Sequence, residues 1–165
     1  MNDNKNVGVR FIEPAVSLPK RKGIRLKSYD YKSNGYYFIT ICTCKGKSYV
    51  KKYKEIIEKI LLSLPERFSG LRIDWYILMP DHLHMIFIFN ETKKDLSEII
   101  RIFKALVSRN TRMKFWQRNY YEHVIRNEDA LLKIREYIQN NPLVENIKFK
   151  EFYKDGSDES NPYRK

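Results

Sequence analysis

The sequence has little cysteine and no long hydrophobic run, and both absences narrow its class. Among 165 residues there are two cysteines, Cys42 and Cys44. Two residues apart on one strand, they are poorly placed for a disulfide, and without a CxxC pair they form no zinc framework. We therefore expect a reducing, cytoplasmic setting. No apolar stretch approaches the roughly 20 residues of a membrane span. Residues 1–10 are too polar for a signal peptide, so no membrane partner is expected.

Acidic residues are also scarce relative to basic ones. Lys and Arg number 32 against 20 Asp and Glu, which gives a net charge of +12. This excess favours a polyanionic partner, with nucleic acid ahead of an anionic membrane surface, although a basic protein with neither partner remains an alternative. Aromatic residues make up 14% of the chain and include 12 tyrosines, a mixture that suits stacking on unpaired bases beside phosphate contacts.

The length and patterning predict one domain between two irregular ends. Residues 1–30 form a basic N-terminal arm, residues 31–150 the domain, and residues 151–165 a polar C-terminal tail. The arm either lies on phosphates or is a solvated tail. Its candidate DNA contacts are Lys20, Arg21, Lys22, Arg25 and Lys27.

Hydrophobic periodicity predicts alternating strands and helices within the domain. Asn127 is expected to cap the last helix, whereas Pro65 should end the first one. The order β-α-β-β-α-β followed by a helix indicates an α+β, ferredoxin-like fold. An antiparallel sheet carries helices on one face and an added C-terminal helix. The predicted strands cover 36–43, 71–79, 82–89 and 120–126, and the predicted helices 52–64, 95–114 and 127–141.

Further basic residues lie on the second long helix, largely away from its apolar face, and in the segment after it. We interpret them as candidate DNA contacts. They are Arg101, Lys104, Arg109, Arg112 and Arg118.

The most distinctive local feature is the pair His82 and His84 in the segment Met-Pro-Asp-His-Leu-His-Met. Because strand side chains alternate, both imidazoles point to one face while Leu83 points into the core. Two imidazoles so placed can bind one metal ion, although a structural role for the pair is equally compatible with so short a motif.

Tyr137 and Asn141 form a second candidate group on the last helix, one turn apart. The amide oxygen of Asn141 could be a third metal ligand, with the Tyr137 phenol close by. On residue chemistry alone the plainer interpretation is favoured, in which Asn141 is a helix C-cap and Tyr137 packs. A tyrosine beside a divalent metal would attack a phosphodiester and store its bond energy as a covalent phosphotyrosine.

Together these segments resemble the REP-associated tyrosine transposases, a branch of the single-tyrosine HUH transposase superfamily that includes insertion-sequence enzymes. The match runs from about Ile24 to Ile147, and its joint order and spacing is more specific than any one motif. The segments that carry it are 29–31 with 37–43, 78–84, 103–104, 115–126 and 137–142.

The resemblance implies that His82 and His84 are the metal ligands, Asn141 a third ligand and Tyr137 the nucleophile. Such enzymes are DNA transposases that cut and rejoin single-stranded DNA. They form a 5′-phosphotyrosine, release a free 3′-OH and use Mg²⁺ or Mn²⁺. They recognise hairpins of palindromic repeats and act as monomers or homodimers. Family placement favours Tyr137 over the adjacent Tyr120 and Tyr121.

Two other interpretations stay open. A ferredoxin-like sheet with Tyr36, Tyr37 and Phe38 on its first strand is also how RNA-recognition modules stack bases. A non-catalytic nucleic-acid-binding module is therefore one alternative, although the histidine pair has no purpose there. A domesticated transposase relative is another. The remaining histidine, His123, is expected to be structural, with a place beside the site as the alternative.

Overall fold

The computed structural model describes residues 29–140. The predicted basic arm residues, Asn141 and the polar tail therefore lie outside the described residues. The strands are β1 (Gly35–Cys42), β2 (Leu71–Leu78), β3 (His82–Phe89) and β4 (Tyr121–Ile125), and the helices are α1 (Lys54–Leu62), α2 (Leu64–Arg67), α3 (Leu96–Thr111) and α4 (Glu128–Asn140). Short 3-10 turns occupy Cys44–Gly46 and Val50–Tyr53.

The four strands form one sheet in the order β2-β3-β1-β4, and all neighbours are antiparallel. The two central strands are β1 and β3. Each is followed by a helical connection that leads to an edge strand, from β1 to β2 and from β3 to β4. This is the ferredoxin-like arrangement predicted from the order of elements. The predicted fold class is confirmed.

The two faces of the sheet are covered by different helices. Tyr37, Ile39 and Ile41 of β1 belong to the larger buried cluster, together with apolar residues of α1 and α3. Phe38, between them, belongs to a smaller cluster that includes the apolar side of α4. Because strand residues alternate faces, α1 and α3 lie on one face and α4 on the other, which we call the α4 face.

The capping prediction for α4 is confirmed. The Ala130 backbone N–H donates to Asn127 Oδ1 at 2.7 Å. The same device starts α3, where the Glu98 N–H donates to Asp95 Oδ1 at 2.8 Å. At its other end α3 stops at Thr111, earlier than the prediction, because Arg112 has a left-handed backbone with φ 54°.

Two local expectations are wrong. Pro65 does not end the first helix, which stops at Leu62; the proline instead occupies the first turn of α2. Proline is tolerated there because the first helical N–H groups have no intrahelical acceptor to lose. Cys44 does not share a strand with Cys42, since β1 ends at Cys42 and the chain turns; both are free thiols. Within residues 29–140 no helix is long and apolar enough to cross a membrane.

Candidate metal and nucleophile site

The two histidines of β3 turn their imidazoles toward each other on the α4 face. His82 Nε2 and His84 Nε2 are 3.1 Å apart, and the ring centres are separated by 4.6 Å. His84 is buried, with 2% of its surface exposed, and the His82 side chain is 11% exposed. Leu83 between them is fully buried in the opposite cluster, as the alternation predicted.

Each imidazole is held from behind through its other nitrogen. His82 Nδ1 lies 2.7 Å from Asp81 Oδ1, and His84 Nδ1 lies 2.8 Å from the hydroxyl of Thr40. An ionised carboxylate can only accept, so in a neutral His82 this contact favours the tautomer with the proton on Nδ1 and a lone pair at Nε2. This is the arrangement that orients metal-ligating histidines through their second nitrogen.

The separation of the two Nε2 atoms fits two ligands of one cation. With metal–nitrogen distances of about 2.1 Å, ligands would be about 3.0 Å apart in octahedral geometry and about 3.4 Å apart in tetrahedral geometry. The observed 3.1 Å lies nearer the octahedral value. Within residues 29–140 no group of three or more His, Cys, Asp or Glu side chains is arranged to hold a metal.

Tyr137 is carried by α4, which covers the same face of the sheet. The buried residues Ile134 and Ile138 of α4 belong to one cluster with Phe38 and Ile86. The Phe38 ring in turn lies 5.4 Å from the His84 ring, centre to centre. Tyr137 itself is half-buried. The structure thus brings the tyrosine helix and the histidine pair to one side of the sheet, with Phe38 between them.

A bidentate ion pair ties α4 to the sheet. Arg135 Nε donates to Asp74 Oδ2 at 2.7 Å, and its Nη2 donates to the other carboxylate oxygen. Asp74 lies at a β-bulge of β2, where the register shifts between Ile73 and Trp75. The hydrogen bond with Asp74 raises the pKa of the Arg135 guanidinium, which stays charged.

The two tyrosines that compete with Tyr137 as the nucleophile lie on opposite faces of the sheet. Tyr121 pairs with Thr40, which pairs with His84, so these three residues form one row across the sheet on the α4 face. Tyr120 is buried with the α1 and α3 residues on the opposite face. The register therefore leaves Tyr121 as the competitor to Tyr137. His123 is 4% exposed and pairs with Phe38, also on the α4 face.

Three of the four basic residues predicted as contacts on the second long helix lie on the layer opposite the histidine pair. Arg101, Arg109 and Arg112 are exposed on the layer behind the opposite face of the sheet. The Lys104 ammonium donates to the backbone carbonyls of residues 117, 118 and 119 at 2.9 to 3.3 Å, so it supports this loop from within the chain. Arg118 in that loop is exposed.

Cys42 lies opposite His82 in the register of β1 and β3. Burial raises the pKa of its thiol, the negative charge of Asp81 raises it further, and Lys104 lowers it. The protonated thiol is therefore favoured.

Thr40 and Asp81 are functional candidates that the sequence interpretation left without a role. Asp81 has a signal in the sequence, since it directly precedes His82. Thr40 has none, because its contact with His84 joins residues 44 positions apart and depends on strand register.

Comparison with known proteins agrees with this fold. The family described as "Transposase IS200 like" matches residues 31–141. The chain is 36% identical over 166 residues to an uncharacterised protein of Haemophilus influenzae, which covers 78% of this chain and 92% of that protein. It is 27% identical over 130 residues to a candidate REP-associated tyrosine transposase of the same organism, covering 69% and 73%.

A solved structure is also similar, that of a REP-associated tyrosine transposase bound to a REP hairpin. The TM-score is 0.62 and the sequence identity 21%, with 72% of this chain and 73% of the other covered. At this identity the likeness establishes the fold. The resemblance predicted from the motifs is confirmed: the chain belongs to the IS200-like transposase family.

Proposed function

We propose that this transposase cleaves and rejoins single-stranded, hairpin-bearing DNA through a 5′-phosphotyrosine on Tyr137. The observation that carries the proposal is the convergence of His82 Nε2 and His84 Nε2 to 3.1 Å on the face that α4 covers. Two buried imidazoles with their second nitrogens fixed have little use in a module that only binds nucleic acid.

The proposed metal ligands are His82, His84 and Asn141, and the ion is Mg²⁺ or Mn²⁺. When bound, the cation supplies positive charge that polarises the scissile phosphate. Asp81 and Thr40 would fix the two rings so that both Nε2 atoms can offer a lone pair to one cation, which limits reorganisation during the reaction.

Tyr137 acts as the nucleophile. Its phenol oxygen forms a bond to phosphorus, and the bond between phosphorus and the 3′ oxygen of the neighbouring nucleotide breaks. One proton passes, net, from the phenol to that 3′ oxygen, which leaves a free 3′-OH. The covalent phosphotyrosine stores the bond energy, and attack by another 3′-OH reverses the step and rejoins DNA.

The DNA partner is supported by charge and by similarity. The net charge of +12 favours a polyanion, and the structurally similar transposase is bound to a REP hairpin. We propose a hairpin of a palindromic repeat as the partner of this chain, bound by a monomer or a homodimer.

A covalent-adduct assay tests the proposal. The purified chain is incubated with labelled hairpin DNA carrying single-stranded flanks and Mn²⁺, then denatured. We expect a DNA–protein adduct that disappears in Tyr137→Phe, and loss of Mn²⁺ binding in His82→Ala/His84→Ala. Tyr121→Phe is the matched control and should keep the adduct. An adduct that survives Tyr137→Phe overturns the assignment of the nucleophile. Tight binding without any adduct would favour the non-catalytic or domesticated module.

A further inference from the structure

A cavity of about 870 Å³ opens at the end of the sheet farthest from the histidine pair. It lies where β1 and β2 begin and where β3 and β4 end. Its lining includes two guanidinium groups, Arg72 and Arg126, and the ring of Tyr36. Among the described residues that line it, none is Asp or Glu. Both arginines are exposed, so the cavity is an electropositive opening with an aromatic wall.

The cavity lies at the end of the sheet, because its lining includes Leu71 and Phe89 of the opposite cluster, and the strand register places Arg72 and Tyr36 on its α4 side. Arg72 pairs with Ile88, Ile88 pairs with Tyr36, and Tyr36 pairs with Ile125, so these four residues form one row across the sheet. The Tyr36 ring packs in part against the cluster beneath α4. It is thereby held at the cavity wall, and half-buried rather than covered.

This combination suits unpaired nucleotides better than other anions. A small inorganic anion needs no aromatic wall, and a base that is paired and stacked within a duplex offers no free face to a tyrosine ring. A tyrosine face with flanking cations is how proteins hold single strands without sequence preference, by stacking on bases and contacting phosphates.

We propose that this cavity holds nucleotides of the single strand that flanks the hairpin, with Tyr36 stacking on a base and Arg72 and Arg126 contacting phosphates. The inference rests on the proposed function, since it gives the DNA a second point of attachment away from the cleavage site. The affinity for DNA then depends on the length of the flank as well as on the hairpin.

The spacing between the two sites sets the required length. The cavity row and the His82 row are six residues apart along β1, from Tyr36 to Cys42, which is about 20 Å at the rise of a strand. A stacked single strand covers that distance in about six nucleotides, at about 3.4 Å each. If the flank starts at the histidine pair, one nucleotide cannot reach the cavity, whereas six can.

The test compares hairpins with no flank, one nucleotide and six nucleotides, with 5′ and 3′ flanks made separately. We expect the six-nucleotide flank on one side to tighten binding. Tyr36→Leu should lower the affinity for that flanked hairpin about 5- to 100-fold, whereas Tyr36→Phe should keep it. Arg72→Gln/Arg126→Gln should lower the salt slope of binding by about 0.7 for each lost phosphate contact. Binding of the unflanked hairpin should be unchanged in all variants.

Lys59→Gln is the matched control, because it removes an exposed charge from α1 on the other side of the sheet. Equal effects of Lys59→Gln and the arginine variants, or equal losses on flanked and unflanked hairpins, would overturn the cavity site. The two proposals fail separately. If the wild-type chain forms an adduct but the cavity variants bind flanks normally, only the cavity site is refuted. If flank binding depends on the cavity but no adduct forms, only the chemistry is refuted.

Discussion

The direction of the hydrogen bond between Thr40 and His84 goes with the ring nitrogen of His84 that carries the proton. If the Thr40 hydroxyl accepts from Nδ1–H, then Nε2 of His84 offers a lone pair beside that of His82. If it donates, the Nε2–H of His84 instead donates to His82 across the 3.1 Å gap. Metal binding requires the first arrangement, because imidazole coordinates through a lone pair.

Thr40→Val should therefore weaken Mn²⁺ binding about 10- to 100-fold, the usual cost of losing a partner behind a metal ligand. Thr40→Ser should retain it. Isothermal titration with Mn²⁺ measures the effect. Thr43→Val is the control, since Thr43 is buried and donates to the Lys47 carbonyl at 2.7 Å. Equal weakening in both variants would show a general loss of structure and contradict the role of Thr40.

Tyr37 gives a second residue-level prediction, on stability. Its hydroxyl donates to the Ser33 carbonyl at 2.7 Å. Burial, followed by the hydrogen bond with Tyr29, raises the pKa of its phenol above the ordinary value. The stability from this group is therefore fully present below pH 10, the pKa of an unfolded tyrosine, and is lost as the pH rises above it.

Tyr37→Phe should cost about 1 kcal/mol at neutral pH through the lost hydrogen bond. Above pH 10 the wild type should lose up to about 1.4 kcal/mol per pH unit from this group, while the variant does not. The difference in free energy of unfolding between the wild type and Tyr37→Phe, measured with urea, should thus become smaller from pH 8 to pH 11. A difference that stays constant would contradict burial of the phenol.

At the scale of elements, the described part of the chain attaches α4 to the sheet through one apolar side and one ion pair. Its buried side chains are Ala130, Leu131, Ile134 and Ile138, and Arg135 adds the ion pair with Asp74. The Asp74 side chain is 12% exposed and that of Arg135 31% exposed, so the pair lies between the surface and buried classes of ion pair. We expect it to fix the helix, and with it the angle at which Tyr137 approaches the histidine pair.

Arg135→Gln should destabilise the fold by about 1 to 2 kcal/mol. It should also slow adduct formation at saturating DNA and Mn²⁺ without changing Mn²⁺ affinity, because the histidines lie on β3. Hydrogen exchange in α4 should rise. The doubly exchanged Asp74→Arg/Arg135→Asp should recover part of the rate. Lys94→Gln is the control, since Lys94, just before α3, forms an exposed pair with Glu98 in the first turn of α3. An adduct rate unaffected by Arg135→Gln would show that the pair does not position α4.

The helices and strands were largely predictable because their hydrophobic residues recur at regular spacing. The predicted range 82–89 matches β3 (His82–Phe89), and Asn127 caps α4 as expected. What escaped prediction depends on contacts between distant residues. Neither the register that sets Thr40 behind His84 nor the pair of Asp74 with Arg135, 61 residues apart, has a local signal. Pro65 misled because proline both ends helices and begins them.

At the scale of the molecule, positive charge is spread over both sides of the sheet. The predicted contacts Arg101 and Arg109 lie on α3, behind the face opposite the histidine pair. DNA at the cleavage site would reach them only by wrapping around the domain. Sequence patterning correctly put them off the apolar face of α3, but it could not say which side of the sheet α3 covers.

DNA affinity should accordingly fall steeply with salt, with a slope of log affinity against log salt near −0.7 for each single-strand phosphate contacted. Arg101→Gln/Arg109→Gln should weaken hairpin and unstructured DNA alike and leave the adduct rate at saturation unchanged. Fluorescence anisotropy from 50 to 300 mM salt measures this. A flat salt dependence of the wild type would argue against phosphate contacts.

Peptide mapping of the adduct identifies the tyrosine that carries the DNA, which we propose to be Tyr137. Trypsin releases a peptide of residues 136–148, in which Tyr137 is the only tyrosine. Tyr120 and Tyr121 lie in a different peptide, residues 119–126. After reaction with hairpin DNA and Mn²⁺, then nuclease trimming, mass spectrometry should find the nucleotide on residues 136–148. It should find none when His82 and His84 are both alanine. A nucleotide on residues 119–126, or one that persists without the histidines, would contradict the account.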